Sequence, residues 1–281
     1  MSDETRSVAV ITGAAGGLGR SLARACAARG MRLVLSDLEA GPLAEVASGL
    51  PASAEALPVA ADVSRAGDLE RLAGAAYGRF GAVHLLFNNA GVGLSRTVAD
   101  TTAQDWQWVL GVNLWGVIHG VQAFLPRMEA QPFPSRIVNT ASAAGFLSEP
   151  GMAAYSVSKH GVVVLSETLE RELRAAGSQV GVTVLCPAFF PTGISDSERV
   201  RPPELRGTAE PGEASRLAEA RLRRAVESGR LGADEVAEAA LRGALAGEAY
   251  VFTHPRIRLA LEERQEAIRR ACPHPGTPGP S

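Results

Sequence analysis

Tyr155 and Lys159 lie four positions apart in the stretch AAYSVSKHGV, residues 153–162. Four residues make about one helical turn, so on a helix the phenol and the ammonium would share one face. Lys159 is the only lysine in a chain of 281 residues that otherwise uses arginine as its strongly basic side chain. Because lysine can release a proton at workable pH and arginine cannot, the pair indicates acid–base chemistry. A surface pair without a function is the alternative.

A second chemical pattern is the glycine-rich stretch VITGAAGGLGR, which places Gly13, Gly17 and Gly19 between a predicted strand and a predicted helix. Such a turn lets backbone N–H groups approach a pyrophosphate, although a purely structural turn would look the same. Asp37 ends the next strand, where a carboxylate can bind an adenosine ribose and repel a 2′-phosphate. The sequence therefore predicts a dinucleotide site that favours NAD over NADP, unless Asp37 only caps the following helix.

Short apolar runs alternate with helical patterns along the chain, and this alternation would position these residues. The predicted strands are 7–12, 32–37, 56–62, 83–88, 136–141, 180–186 and 249–253. The predicted helices are 17–29, 41–48, 66–80, 103–130, 152–176 and 233–246. Nearly continuous apolar strands separated by helices predict an α/β fold: a Rossmann-type, doubly wound parallel sheet of about seven strands with helices on both faces.

The domain prediction is a single domain over residues 1–270. Residues 189–232 are rich in Pro, Gly, Arg and Glu and are too long for a simple connection, so we expect an insertion that forms a lid over the substrate. Residues 271–281 have the Pro/Gly content of a disordered tail.

Composition excludes several classes of function. The net charge of −2 gives no electrostatic case for nucleic-acid binding. The three cysteines and five histidines lack metal-ligand spacing, so no metal site is expected. The first residues, MSDETRSVAV, lack the pattern of a signal peptide, and no uninterrupted apolar run reaches the ~18–20 residues of a membrane span. We therefore expect a cytoplasmic protein without a membrane partner.

With these motifs in order, the sequence resembles the short-chain dehydrogenase/reductase family over about residues 6–254. TGAAGGLG is similar to the family's cofactor turn, and NNAG at 88–91 to its mid-sheet signature. Asn113 in GVNLWG, Ser142 in NTASAAG and the pair in YSVSK match its catalytic positions. One departure is Pro187-Ala188, where the family usually has Pro-Gly.

The resemblance implies roles for these residues. Tyr155 would exchange a proton with the substrate oxygen, Ser142 would hold that oxygen, and Asn113 would anchor a water connected to Lys159. Lys159, helped by the positive charge of oxidised nicotinamide, would lower the pKa of Tyr155 from about 10 to about 7, which requires about 4 kcal/mol. The expected cofactor contacts are Gly13, Ala15, Gly17, Leu18, Gly19, Asp37, Asp62, Val63, Asn89, Ala90, Gly91, Tyr155, Lys159, Pro187 and Thr192.

The implied reaction is NAD(H)-dependent interconversion of a secondary alcohol and a ketone by hydride transfer. The expected substrate contacts are Ser142, Ala144, Phe146, Tyr155, Phe189 and Phe190. This largely apolar set favours a hydrophobic or aromatic substrate, and the sequence after the sixth strand resembles a branch that includes oxidisers of bulky aryl alcohols. Open alternatives are a 3-oxoacyl thioester or hydroxysteroid enzyme and a non-catalytic NAD-sensing protein. By the same resemblance, the apolar faces of helices 103–130 and 152–176 would pair between subunits, so a homodimer or homotetramer is expected.

Overall fold

The computed structural model describes residues 7–207 and 210–272. Within these residues, seven parallel strands form one sheet in the order β3-β2-β1-β4-β5-β6-β7. The strands are β1 (Val8–Thr12), β2 (Arg32–Asp37), β3 (Ala56–Ala60), β4 (Leu85–Asn88), β5 (Ser135–Thr140), β6 (Val180–Cys186) and β7 (Tyr250–Phe252). Each one lies within one residue of, or inside, a predicted apolar run.

Helices cover both faces of this sheet, which confirms the predicted doubly wound fold. The helices are α1 (Gly17–Ala28), α2 (Ala40–Ser48), α3 (Ala66–Phe80), α4 (Ala103–Leu110), α5 (Gly116–Glu129), α6 (Ala153–Ala175), α7 (Glu213–Glu227), α8 (Ala233–Ala246) and α9 (Ile257–Ala271). Buried side chains of α1, α2 and α8 form the core on one face. Those of α3, α5 and α6 form the core on the other.

The order of the strands reverses between β1 and β4. The chain proceeds from β1 outward to β2 and β3, and then returns to place β4 on the other side of β1. In open α/β sheets, such a switch point leaves a crevice at the carboxyl ends of the strands. The glycine turn follows β1 and the NNAG motif ends β4, so the fold brings both motifs to this crevice.

The helix predicted over 103–130 contains an interruption. Gly111–Trp115 forms a π-helical turn between α4 and α5. At its centre, Asn113 accepts the Val92 N–H at Oδ1 (2.8 Å) and donates to the Val92 carbonyl through Nδ2 (2.9 Å). A π-turn adds one residue to a helix, and functional sites often contain one. The interruption therefore coincides with a predicted catalytic residue.

The combined helix Ala103–Glu129 is long and apolar enough to cross a membrane, judged by length and composition alone. Half of its most apolar window is buried inside the protein. Its α5 segment packs against α3, and its α4 segment packs against α6. Core helices of globular proteins satisfy the same criterion, so this helix is weak evidence for a membrane span.

Two features of the chain emerge only from the structure, namely the segments inside the insertion and the helix after β7. The predicted insertion contains 3-10 helical segments at Gly193–Val200 and Pro203–Leu205, followed by α7. Helix α9 was not among the predicted helices, and it follows β7 closely. The predicted tail 271–281 lies outside the described residues except for its first two, of which Ala271 ends α9.

Candidate active site

A cavity of about 670 Å³ opens at the carboxyl edge of the sheet. It extends from the glycine turn and the end of β2, past the ends of β4 and β5, to α7 and α9. The structure brings most of the predicted site residues to its wall. They are Gly13, Gly17, Leu18, Asp37, Asp62, Val63, Asn89, Ala90, Gly91, Ser142, Ala144, Tyr155, Lys159, Pro187, Phe189, Phe190 and Thr192.

Two predicted cofactor contacts support the wall without lining it. A Cβ built on Gly19 would lie 1.9 Å from the carbonyl oxygen of Gly13, so Gly19 lets α1 pack against the turn. Ala15 donates its N–H to Oδ2 of Asp37 at 2.9 Å. Both residues therefore shape the turn that other residues present to the cavity.

Two more predicted site residues do not line the cavity. Asn113 is fully buried, and its amide is occupied by Val92. Phe146 packs on Tyr250 and Phe252 of the edge strand, with ring centroids 6.2 and 5.4 Å away. Phe146 therefore does not line the cavity as predicted, because its ring packs against the aromatic side chains of β7.

The glycine turn is shaped to receive a diphosphate. Gly13 has φ +67, and a Cβ there would lie 2.7 Å from Cα of Ala90, so the two loops approach too closely for a side chain. The N-cap of α1 is Gly16, which provides no side-chain hydrogen bond to the first turn. Gly16, Gly17 and Leu18 line the cavity. Backbone N–H groups at a helix N-terminus are suited to binding phosphate oxygens.

Asp37 lies at the end of the cavity beyond this turn, beside Leu38. Its carboxylate already accepts the N–H of Ala15, which ties the end of β2 to the glycine turn. Glu39 is next to this position and forms an ion pair with Arg199 of the insertion. A carboxylate at this distance from the glycine turn can accept hydrogen bonds from a ribose diol. The residues at this end of the cavity thus fit a nicotinamide dinucleotide.

Ser142 and Tyr155 form the centre of the site. Both side chains are buried, and the neighbouring Ser142 hydroxyl acts to lower the pKa of Tyr155. Ser142 Oγ also accepts the Ala144 N–H at 3.1 Å and lies 3.4 Å from the Pro187 carbonyl oxygen, to which it donates. Burial has the larger effect on Tyr155, and its pKa is raised above 10.0.

Lys159 lies one turn further along α6, as predicted. Its Nζ donates to the Thr140 carbonyl at 2.7 Å and lies 5.7 Å from the centroid of the Tyr155 ring. Burial lowers the pKa of Lys159 from 10.5 to about 8. Burial of the phenol outweighs the opposing effect of the Ser142 hydroxyl on its pKa, and the lowering of that pKa by Lys159 together with oxidised nicotinamide stays a prediction.

The substrate end of the cavity is lined mainly by apolar side chains that sequence reasoning missed. They are Met152, Ile194, Leu222, Val226, Ile257 and Ala260. Leu147, which the sequence places in the apolar lining, also lines the cavity. Leu222 and Val226 come from α7, while Ile257 and Ala260 come from α9. The repeating apolar positions of the sequence around α9 could have indicated a helix, but not that its first turn reaches the cavity.

The insertion is anchored beside the cavity by buried charges. Arg201 forms an ion pair with Asp105 at 2.7 Å, and both side chains are at most 2% exposed. The Arg201 guanidinium lies 4.8 Å from the ring centroid of Trp108. Ser197 Oγ accepts the Gly93 N–H at 2.9 Å. These contacts hold the segment after β6 against α4 and the loop after β4.

Comparison with known proteins agrees with this geometry. A family model described as short chain dehydrogenase matches residues 7–202. The crystal structure of a short-chain dehydrogenase/reductase from Burkholderia phymatum in complex with NAD superposes with a TM-score of 0.91. The two sequences are 48% identical, and the match covers 97% of each chain.

Two characterised relatives match almost the full length of this chain. The CLA biosynthesis dehydrogenase/reductase of Lactiplantibacillus plantarum is 30% identical over 272 residues, which cover 95% of each protein. The C alpha-dehydrogenase of Sphingobium sp. strain SYK-6 is 31% identical over 272 residues, or 95% of this chain and 87% of the relative. Both names describe oxidoreductases.

Proposed function

This chain belongs to the short-chain dehydrogenase/reductase family, and we propose that it interconverts a secondary alcohol and a ketone with NAD(H). One observation carries the proposal: Ser142, Tyr155 and Lys159 line the same cavity as the glycine turn and Asp37. A dinucleotide held at the turn would extend toward the buried serine and tyrosine. The residues suited to bind a dinucleotide and the residue suited to transfer a proton thus line one cavity.

A dinucleotide held by this cavity would supply the hydride acceptor as NAD⁺ in oxidation and the hydride donor as NADH in reduction. Tyr155 Oη takes the alcohol proton in oxidation and gives it back in reduction. Ser142 Oγ orients the substrate oxygen toward that hydroxyl. Lys159, with a pKa of about 8, is mostly protonated at neutral pH, so its charge stabilises the phenolate when Tyr155 ionises.

The preference for NAD over NADP rests on Asp37. Its carboxylate lines the adenosine end of the cavity, where a 2′-phosphate would bring a second negative charge. The nearby Arg199 is paired with Glu39, so it does not offer an unopposed cation to that phosphate. The NAD bound in the related Burkholderia structure supports this preference.

The proposed substrate is hydrophobic or aromatic. Phe189, Leu147, Met152 and Leu222 line the cavity around the site, and such surfaces bind apolar groups by removing them from water. Glu149 and Arg256 are the charged side chains lining the cavity that are not already placed at the nucleotide end or beside Tyr155. An alcohol or ketone with a bulky apolar body and at most one charged group fits this set.

The test is a spectrophotometric screen of alcohols and ketones that follows NADH absorbance, run with both NAD and NADP. We expect the fastest turnover with bulky apolar secondary alcohols or their ketones, and a larger kcat/KM with NAD. The Tyr155→Phe variant, purified in the same way, controls for contaminating dehydrogenases. Tight NADH binding without turnover of any compound would favour the NAD-sensing alternative, and a larger kcat/KM with NADP would refute the role given to Asp37.

A homodimer or homotetramer is part of the proposal. Trp115, Val157 and Val164 are between 50% and 60% exposed on the π-turn and α6. Burial of these side chains between copies of the chain would remove a large apolar area from water. Light scattering coupled to size-exclusion chromatography should give a mass of two or four chains, and a monomer would contradict the proposal. A cytoplasmic location stays a prediction.

A further inference from the structure

The peptide between Pro187 and Ala188 is held on both sides. The Pro187 carbonyl accepts the Ala143 N–H at 2.8 Å and the Ser142 hydroxyl at 3.4 Å. On the other side, the Ala188 N–H donates to Nδ1 of His254 at 3.2 Å. This one peptide plane is therefore connected to the candidate catalytic serine and to a histidine that follows β7.

The environment of His254 requires a neutral ring. Because a backbone N–H can only donate, Nδ1 must be the acceptor, which places the ring proton on Nε2. The Thr253 hydroxyl lies 2.8 Å from the same Nδ1. Burial lowers the pKa of His254, although a contact with the Phe189 backbone raises it somewhat. The half-buried ring therefore stays an acceptor at neutral pH.

Ala188 occupies a position where the related family usually has glycine. In the described residues, no residue other than glycine has a positive φ, so Ala188 has an ordinary backbone conformation. Pro187, Ala188 and Phe189 all line the cavity beside Ser142. The Ala188 side chain adds to this wall one methyl group that a glycine would lack. A shift of the Pro187–Ala188 peptide would therefore move that methyl group within the cavity.

We propose that His254 is a positioning residue that fixes the Pro187–Ala188 peptide, and with it the wall expected to contact the nicotinamide. This inference rests on the function proposed above. His254 also precedes α9, whose first turn supplies Ile257 and Ala260 to the substrate end of the cavity. Through one hydrogen bond, His254 therefore sets the spacing between the nicotinamide wall and the substrate wall.

A pair of polar substitutions can separate positioning from simple structural support. In His254→Asn, the side-chain amide oxygen can take the place of Nδ1 and accept the Ala188 N–H. In His254→Gln, the longer side chain carries its amide toward the place of Nε2 instead. Both variants lose the ring, so a role in packing alone would affect them equally.

The readouts are the dissociation constant of NADH, measured by quenching of tryptophan fluorescence, together with kcat, KM and the melting temperature. We expect His254→Gln to weaken NADH binding about five-fold, the value of one neutral hydrogen bond, and to lower kcat more than it changes KM. His254→Asn should recover most of the NADH affinity and most of kcat. The two variants should melt within a few degrees of each other.

A measurement on the protein without cofactor supplies an independent check. A long-range proton–nitrogen NMR spectrum should show His254 with its proton on Nε2, assigned by comparison with His254→Asn. A ring protonated on Nδ1, or equal NADH affinity in the Asn and Gln variants, would overturn the inference. If the wild-type protein failed to bind NADH, the proposed function itself would fall, and that result is distinct from equal variants of a protein that binds.

Discussion

The two ends of the cavity are built in different ways. The nucleotide end consists mainly of backbone and small residues that follow β1, β2 and β4 directly. The substrate end consists of larger side chains from the loop after β5, from the insertion with its helix α7, and from α9, three segments that are far apart in the sequence. The contrast teaches that the nucleotide site is built by the loops at the ends of the strands. The substrate site is built by outer segments whose sequence can change without disturbing the sheet.

The two ends also differ in how much change they tolerate. At the nucleotide end, the turn has no room for a methyl group on Gly13 or Gly19. At the substrate end, Phe189 is 40% exposed and can be shortened without leaving a closed void. Four experiments test this contrast, and they are given from the largest expected effect to the smallest.

The first experiment removes the group at which the two ends meet. Tyr155→Phe keeps the ring but deletes the hydroxyl, so we expect kcat to fall by about 10³-fold, as is usual for loss of a general acid–base group. NADH affinity should stay within about two-fold, because the nucleotide end is unchanged. Steady-state kinetics and fluorescence titration measure both values, and turnover within ten-fold of the wild type would contradict the assignment.

The second experiment adds one methyl group at the nucleotide end. The new Cβ in Gly19→Ala would collide with the Gly13 carbonyl, so we expect a loss of about 3 kcal/mol in the free energy of unfolding and weaker NADH binding. Gly74→Ala is the matched control, because its Cβ meets nothing within 4 Å and the site lies in exposed helix. The control should be more stable by about 0.5–1 kcal/mol. Equal stability of the two variants in urea would disprove this packing argument.

The third experiment uses the lowered pKa of Lys159, about 8 against 10.5 in the unfolded chain. Between these pH values the unfolded state binds more protons, so the free energy of unfolding contributed by Lys159 rises with pH, by about 3 kcal/mol in total. Lys159→Met lacks this contribution. Urea unfolding at several pH values should therefore show the wild type gaining stability relative to the variant across this window.

The comparison with Lys159→Met is needed because other buried groups act in the opposite sense. Burial raises the pKa values of Tyr155, Cys26 and Cys186, so these groups favour the unfolded state as the pH rises above their ordinary values. They are present in both proteins and largely cancel in the difference. A difference that did not change with pH would mean that the ammonium of Lys159 is not desolvated.

The fourth experiment compares two phenylalanines that sequence reasoning placed together. Phe189 lines the cavity, whereas Phe146 packs against Tyr250 and Phe252. Phe189→Ala should raise KM for an apolar substrate about five-fold and leave NADH affinity unchanged, since it removes apolar contact with the substrate. Phe146→Ala should lower the melting temperature and leave KM unchanged. A higher KM in Phe146→Ala with an unchanged KM in Phe189→Ala would mean that Phe146, and not Phe189, contacts the substrate.

The contrast between the two ends also explains what the sequence could predict. Gly13 belongs to a short glycine pattern, and Tyr155 and Lys159 are one helical turn apart, so in both cases neighbours in sequence are neighbours in space. Asp37 was predictable because it ends the strand that follows the first helix. The strands were predictable for the same reason, because continuous apolar runs are typical of a parallel sheet with both faces covered. Local patterns were therefore sufficient for the fold and for the glycine turn, whereas other nucleotide contacts such as Asp62, Asn89 and Thr192 were implied by the family resemblance.

The missed features depend on contacts between distant segments. The π-turn forms where the Asn113 amide pairs with Val92, and the orientation of Phe146 depends on β7. His254 reaches Ala188 only after the chain has passed through α7 and α8. The pKa of Tyr155 depends on burial, which no spacing of residues reports.

The burial of Lys159 has a practical consequence for chemical labelling. This residue holds the only ε-amino group of the chain, and it is 3% exposed. The molecular surface therefore offers no lysine to an acylating reagent, and arginine does not react in its place. The rate at which Lys159 is acylated would therefore measure how readily the reagent enters the cavity. A ligand bound in the cavity should lower that rate.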